Sequence, residues 1–118
     1  MRFPVVLAAL ALSSACVSGR GAVTRDVVVI DPGHPSETAA GNVVQNGTTE
    51  VHVAWVVALV LRDALRARGF EVLLTKQSES QLVTNQERAE IGNRANAMVL
   101  VRLHCDASSD SGFAVYFP

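Results

Sequence analysis

Val27-Val28-Val29-Ile30-Asp31-Pro32-Gly33-His34 is the stretch that decides the fold. Its unbroken β-branched run suits a strand buried on both faces, the kind found in parallel sheets covered by helices. Pro32-Gly33 breaks the strand, and His34 stands just past its end. Pro35 to Thr49, rich in Gly, Asn, Ser and Thr, then reads as a long loop, a length that usually marks function in a small domain. Thr48 or Thr49 can cap the helix that follows, which is expected to run to about Arg68 and stop at Gly69. Val53, Val57, Val60, Leu61, Ala64 and Leu65 form its expected apolar stripe. Phe70 to Thr75 reads as a second strand, and Thr84-Asn85-Gln86-Glu87 as a capping box opening a helix that ends near Asn96. Met98 to His104 is the third strand and Gly112 to Phe117 a fourth. The order predicts an α/β domain with a mostly parallel sheet flanked by helices.

In such sheets, sites form beyond the carboxyl ends of the strands. His34 follows the first strand and His104 ends the third, while Glu50 opens the helix that starts at the same rim. Two imidazoles and a carboxylate with an open fourth position make the ligand set of a catalytic zinc site. Each residue also has a plainer reading: His34 in an ordinary Pro-Gly turn, Glu50 as a first-turn acid favoured by the helix dipole. His52 lies about 200° from Glu50 around the helix and is rejected as a ligand. Asp31 and Asp106 are the expected acceptors for the second imidazole nitrogens, unless either is only a turn former. No H-E-x-x-H motif is present, which excludes the familiar zinc-protease classes but not a dispersed site.

At 118 residues the chain holds one domain, and its first part reads as a targeting segment. Arg2, the apolar stretch Phe3 to Leu12 and Ser13-Ser14-Ala15 resemble a secretory signal over residues 1–15, too short to remain as a transmembrane span. Residues 16–26 form a linker, and export to the periplasm or cell envelope is expected. Cleavage after Ala15 would place Cys16 first, as in a lipid-anchored protein, although Ser13 stands where such signals usually carry Leu. Cys105 is expected to be a small buried hydrophobe facing away from the metal. A net charge of -1 without a basic stripe argues against a nucleic-acid partner. A monomer is expected.

Several segments together carry a family resemblance: Val28 to His34, Thr49-Glu50-Val51, Gly69 to Thr75, Arg88 through Ala97, Leu103-His104-Cys105-Asp106-Ala107 and Gly112 to Tyr116. They fall in the order seen in zinc-dependent N-acetylmuramoyl-L-alanine amidases, which the chain resembles over Val27 to Pro118. The resemblance implies Zn²⁺ as cofactor, His34, Glu50 and His104 as its ligands, and peptidoglycan as substrate. The family cleaves the amide between the lactyl group of N-acetylmuramic acid and the L-alanine of the stem peptide. Its general base, a second glutamate, lies after the strand matching Gly112 to Phe117, so no position here inherits that role. Residues 27–118 are therefore expected to be the N-terminal part of the catalytic domain, incomplete at the C-terminal side, with Glu37 in the long loop as a stand-in base should the short chain prove active.

Two departures accompany the resemblance. Pro35-Ser36-Glu37 replaces the usual glycine-rich continuation, and Arg102 replaces a small residue. Arg102 would share a strand face with His104 and oppose a bound cation unless a carboxylate intervened. The alternative to an active amidase is an inactive zinc- or peptidoglycan-binding envelope protein. A structural lipoprotein, in which the three residues merely cap strands and a helix, is the remaining reading.

Overall fold

The computed structural model describes residues 25–38, 41–105 and 112–116. The expected signal at 1–15, Cys16, most of the linker and Asp106 lie outside these residues. The element order is β1 (Val27–Pro32), β2 (Val44–Gln45), β3 (Thr48–Thr49), α1 (Glu50–Arg66), β4 (Glu71–Leu74), α2 (Asn85–Arg94) and β5 (Val99–Leu103). β1 is the middle strand of a parallel sheet of order β4-β1-β5. That position explains why its sequence is apolar without alternation: neighbours flank both edges and helices cover both faces.

Side chains alternate across the pleat. Val28, Ile30 and Val72 meet Ala58 of α1 in the buried core, with Leu61, Leu65, Leu74, Val101 and Leu103 packed around them. On the opposite face α2 lies close, since a Cβ added to Gly92 would stand 3.1 Å from Leu100 Cδ1. The structure is thus an α/β sheet with one helix on each face.

Local chemistry sets the helix ends as expected. Thr49 caps α1 by accepting from the His52 amide, and Gly69 (φ 91°) turns the chain out of the helix toward β4. Thr84 and Glu87 exchange both hydrogen bonds of a capping box at the start of α2.

Three expectations are corrected. The buried face of α1 is Val51, Ala54 and Ala58, continued by Leu61 and Leu65, whereas Val57 and Val60 are exposed. Valines occur all round this helix, so hydrophobicity left its face ambiguous. Small Ala54 and Ala58 let the backbone approach the sheet, and that decided it. Residues 112–116 form no strand, and Phe113 is 93% exposed. Alternating apolar residues make a strand only where a neighbouring edge accepts them. Finally, the long loop is not wholly irregular, because β2 and β3 pair antiparallel around Asn46 and Gly47, both at positive φ.

Candidate metal centre

Parallel pairing brings the two histidines together. β1 and β5 are in register through Pro32↔Leu103, and Gly33 N–H adds one more bond to Leu103 O at 2.9 Å. His34 and His104 therefore leave adjacent strand ends side by side, their rings edge to face with centroids 4.9 Å apart. Glu50 arrives from the first turn of α1, whose N-terminus opens on the same rim. One ligand atom from each of the three lies within 4.8 Å of the others.

Glu50 Oε1 is the hub. It stands 2.8 Å from His104 Nδ1 and 3.5 Å from His34 Nε2, and it accepts the Cys105 amide at 3.0 Å. Two ligands each about 2.0–2.2 Å from a tetrahedral zinc stand roughly 3.3–3.6 Å apart. The His34–Glu50 separation already fits that spacing, while the Glu50–His104 hydrogen bond would have to open by about half an ångström. The donor types fit a small, borderline-soft divalent cation, and the 4.8 Å bound on the ligand-atom spread leaves some closing still to be done around it.

Two glycines shape the rings' seats. A Cβ on Gly33 would come within 2.7 Å of His104 Cε1, and one on Gly41 within 2.5 Å of His34 Cγ. Gly41 also has φ 86°, which favours glycine, and its carbonyl accepts from the Val51 amide at 3.2 Å, joining the loop to α1. The sequence signalled Gly33 through its Pro-Gly turn, but nothing local marked Gly41.

Protonation favours metal binding. Burial holds the His34 imidazole below its ordinary pKa, with Glu50 pulling the other way and His104, Arg102 and Arg88 adding to the depression. A neutral ring is the form that binds metal. Burial works against the Glu50 charge, yet the Cys105 amide, the His104 hydrogen bond and the two imidazoles outweigh it and leave its pKa lowered.

The other expected residues fall elsewhere. Asp31 is buried on the α2 face, accepting from Thr75 Oγ1 at 2.5 Å and from Arg88 Nη1, and bonds to neither imidazole among the described contacts. His34 Nδ1 is buried and has no hydrogen-bond partner among the described residues. Arg102 Nε lies 3.2 Å from Asp31 Oδ2, an ion pair whose angles are not those of a hydrogen bond. Asp31 thus pairs with Arg102 as well as Arg88, although the Arg102 charge still contributes to the depression at His34. His52 is exposed and pairs with Glu79 at 3.1 Å, apart from the three-residue group. Glu37 holds the amide and side chain of Asn85 at the start of α2. Cys105 is exposed, correcting the expectation of a buried residue, and its backbone amide donates to Glu50.

Lys76 and Arg88 were not singled out from sequence. Both are buried, and both donate to carbonyls of the loop that carries His34. A groove of about 530 Å³ opens beside that loop, lined by Pro35, Asn42, Thr49, Val51, Glu79 and Ser80. Among the described residues no helix is long and apolar enough to cross a membrane.

Comparison with known proteins agrees with this geometry. The sequence pattern of the N-acetylmuramoyl-L-alanine amidase family matches residues 28–117. The chain is 32% identical over 80 residues to N-acetylmuramoyl-L-alanine amidase AmiA of Escherichia coli, covering 68% of this chain and 27% of that protein. It is 33% identical over 95 residues to N-acetylmuramoyl-L-alanine amidase AmiC of Neisseria meningitidis, covering 78% of this chain and 22% of that protein. The chain thus spans about a quarter of the length of these curated relatives. It belongs to the N-acetylmuramoyl-L-alanine amidase family.

Proposed function

We propose that this family member carries the metal-binding part of a peptidoglycan amidase site, with His34, Glu50 and His104 holding one Zn²⁺. The observation that carries the proposal is the convergence of three sequence-distant ligand atoms within 4.8 Å on one strand-end rim. The bond cleaved is the amide between the lactyl group of N-acetylmuramic acid and L-alanine, the linkage named by the family and its relatives. Zinc bound there would polarise the scissile carbonyl and lower the pKa of a bound water toward about 7.

The chain's own residues prepare that chemistry. The surroundings favour ionised Glu50 and neutral His34, the forms in which each binds a cation. Gly33 and Gly41 seat the rings, while Arg102 pairs with Asp31. The groove beside Pro35 and Thr49 is large enough to take part of a stem peptide. Peptidoglycan lies outside the cytoplasmic membrane, so export through the N-terminal signal belongs to the same proposal. Mass spectrometry of the mature N-terminus should find processing near Ala15, and a lipid on Cys16 if the protein is anchored.

A second reading, metal or wall binding without turnover, is favoured by one observation. Asp31 at the end of β1 and the loop residues Glu37 and Glu79 are engaged, with Arg88 and Thr75, with Asn85 and with His52 respectively. Carboxylates so engaged are less free to act as a general base, whose assistance typically contributes about 10²–10⁴-fold in rate.

Metal analysis of the purified chain tests the site. One equivalent of zinc in the wild type, its loss in His104→Ala and its retention in His52→Ala are expected. Equal zinc in wild type and His104→Ala would remove His104 from the site. Release of stem peptides with a free L-alanine amino terminus from purified peptidoglycan separates the two readings.

A further inference from the structure

A metal-bound histidine is normally oriented by a hydrogen bond from its second ring nitrogen to a carboxylate, carbonyl or water. Among the described residues no group accepts from the buried His34 Nδ1. The ring is also oriented by the main chain on which it sits. Arg88 reaches that main chain from α2, with Nη1 donating to Pro32 O at 3.0 Å and Nη2 to Pro35 O at 2.9 Å. Arg88 Nε donates to Val83 O at 3.0 Å, so the guanidinium is itself fixed against the loop before α2. Lys76 Nζ donates to the carbonyl of His34 and to Glu79 O at 2.9 Å. Carbonyls before, at and after His34 are thus each taken by a buried cation.

We infer that Arg88 and Lys76 are positioning residues for the metal centre, setting the His34 imidazole through the backbone carbonyls that flank and include it. Both reach the loop from later in the chain, and neither belongs to the group of ligand atoms. Their burial supports a built arrangement rather than a chance surface contact. Asp31 balances the charge of Arg88 directly, and the ring of Trp55 lies 5.6 Å from the Lys76 ammonium. Burying two cations is costly unless their donors are satisfied, so the site is costly to assemble and stiff once assembled. The contacts confine the His34 ring to the face of Gly41 and toward Glu50.

This inference rests on the zinc reading above, and the test separates the two. Zinc affinity of the full chain is measured by competition with a chromogenic chelator, alongside the visible spectrum of the cobalt-substituted protein. Lys76→Met removes the donor to His34 while keeping a linear apolar stem. Arg88→Lys keeps a positive charge beside Asp31 but cannot span the Pro32, Pro35 and Val83 carbonyls together. Each should weaken zinc about 10–100-fold, the range typical of groups that orient ligands. Each should also shift the cobalt spectrum, with circular dichroism unchanged. Val72→Ala, which opens the core under α1, should lower stability without changing affinity or spectrum.

Folded variants with wild-type affinity and spectrum would overturn the inference. So would equal weakening in Val72→Ala, or loss of fold in both Lys76→Met and Arg88→Lys, because either would make the role one of general stability. If only one of those two folds, it decides alone. Failure of the wild type to bind zinc would defeat the zinc reading and this inference with it.

Discussion

His34 and His104 leave neighbouring strands at the same level, yet their surroundings are opposite. The His34 side chain is 11% exposed, its carbonyl is bonded to Lys76 and those of Pro32 and Pro35 to Arg88, and Gly41 lies against its ring. The His104 side chain is 35% exposed and is held by one hydrogen bond to Glu50. The difference follows from position: β1 is central and its loop folds back beneath α2, whereas β5 is an outer strand of the described sheet. One side of the centre is therefore fixed by the fold, and the other is left adjustable.

The largest expected effects come from removing the ligands. His34→Ala and His104→Ala should each lower zinc affinity by more than the roughly 10–100-fold seen for orienting groups, read by chelator competition. Without metal the two should diverge. His34→Ala should destabilise by about 1–3 kcal/mol, because it empties a packed, buried position. His104→Ala should stay within about 0.5 kcal/mol, as expected of a surface change. Equal losses in chemical denaturation would break the comparison.

Crowding the seats should come next. Gly41→Ala places a Cβ against the His34 ring at a positive φ, and Gly33→Ala places one against Leu103 O and the His104 ring. Overpacking of this kind costs about 1–3 kcal/mol. Gly41→Ala should be the worse of the two, since the exposed His104 ring can swing away while the buried His34 ring cannot. Thermal unfolding of the two variants checks the order.

Acidification sharpens the same contrast. The folded-state pKa of His34 is depressed below its ordinary 6.5, chiefly by burial, so below that pH the unfolded chain binds the extra proton first. Stability should begin to fall as pH drops through 6.5 and continue to fall until it passes the lower folded value. Glu50 is depressed below 4.5, with burial opposing and its hydrogen bonds winning, so its contribution is lost at lower pH still. In His34→Asn the first part of the decline should vanish and the second remain. An unchanged profile would show that His34 is not held neutral by the fold.

The smallest effect is expected at Arg102. Its side chain is 40% exposed and its pairing with Asp31 Oδ2 lacks hydrogen-bond geometry, so Arg102→Gln should change stability by less than about 1 kcal/mol. Zinc affinity should hold or rise slightly, since a nearby cation is removed. A marked loss of zinc would mean that Arg102 supports the centre rather than opposing its cation.

The sequence by itself determined the strand and helix order, the parallel sheet and the rim on which His34, Glu50 and His104 meet. These follow from local signals: an apolar run broken by Pro32-Gly33, a threonine cap at Thr49 and a capping box at Thr84. Once those elements form, parallel pairing leaves the strand ends side by side, and the ligands must converge. Only the tertiary structure decided that Arg88 and Lys76 hold the His34 loop, that Gly41 seats the ring, and that α1 turns Ala54 and Ala58 inward. It also decided that Asp31 serves Arg88 rather than an imidazole, and that residues 112–116 form no strand. The physical reason is range. Caps and breaks act over a few residues, while Arg88 meets Asp31 across 57 positions and Lys76 meets His34 across 42, contacts that leave no local pattern.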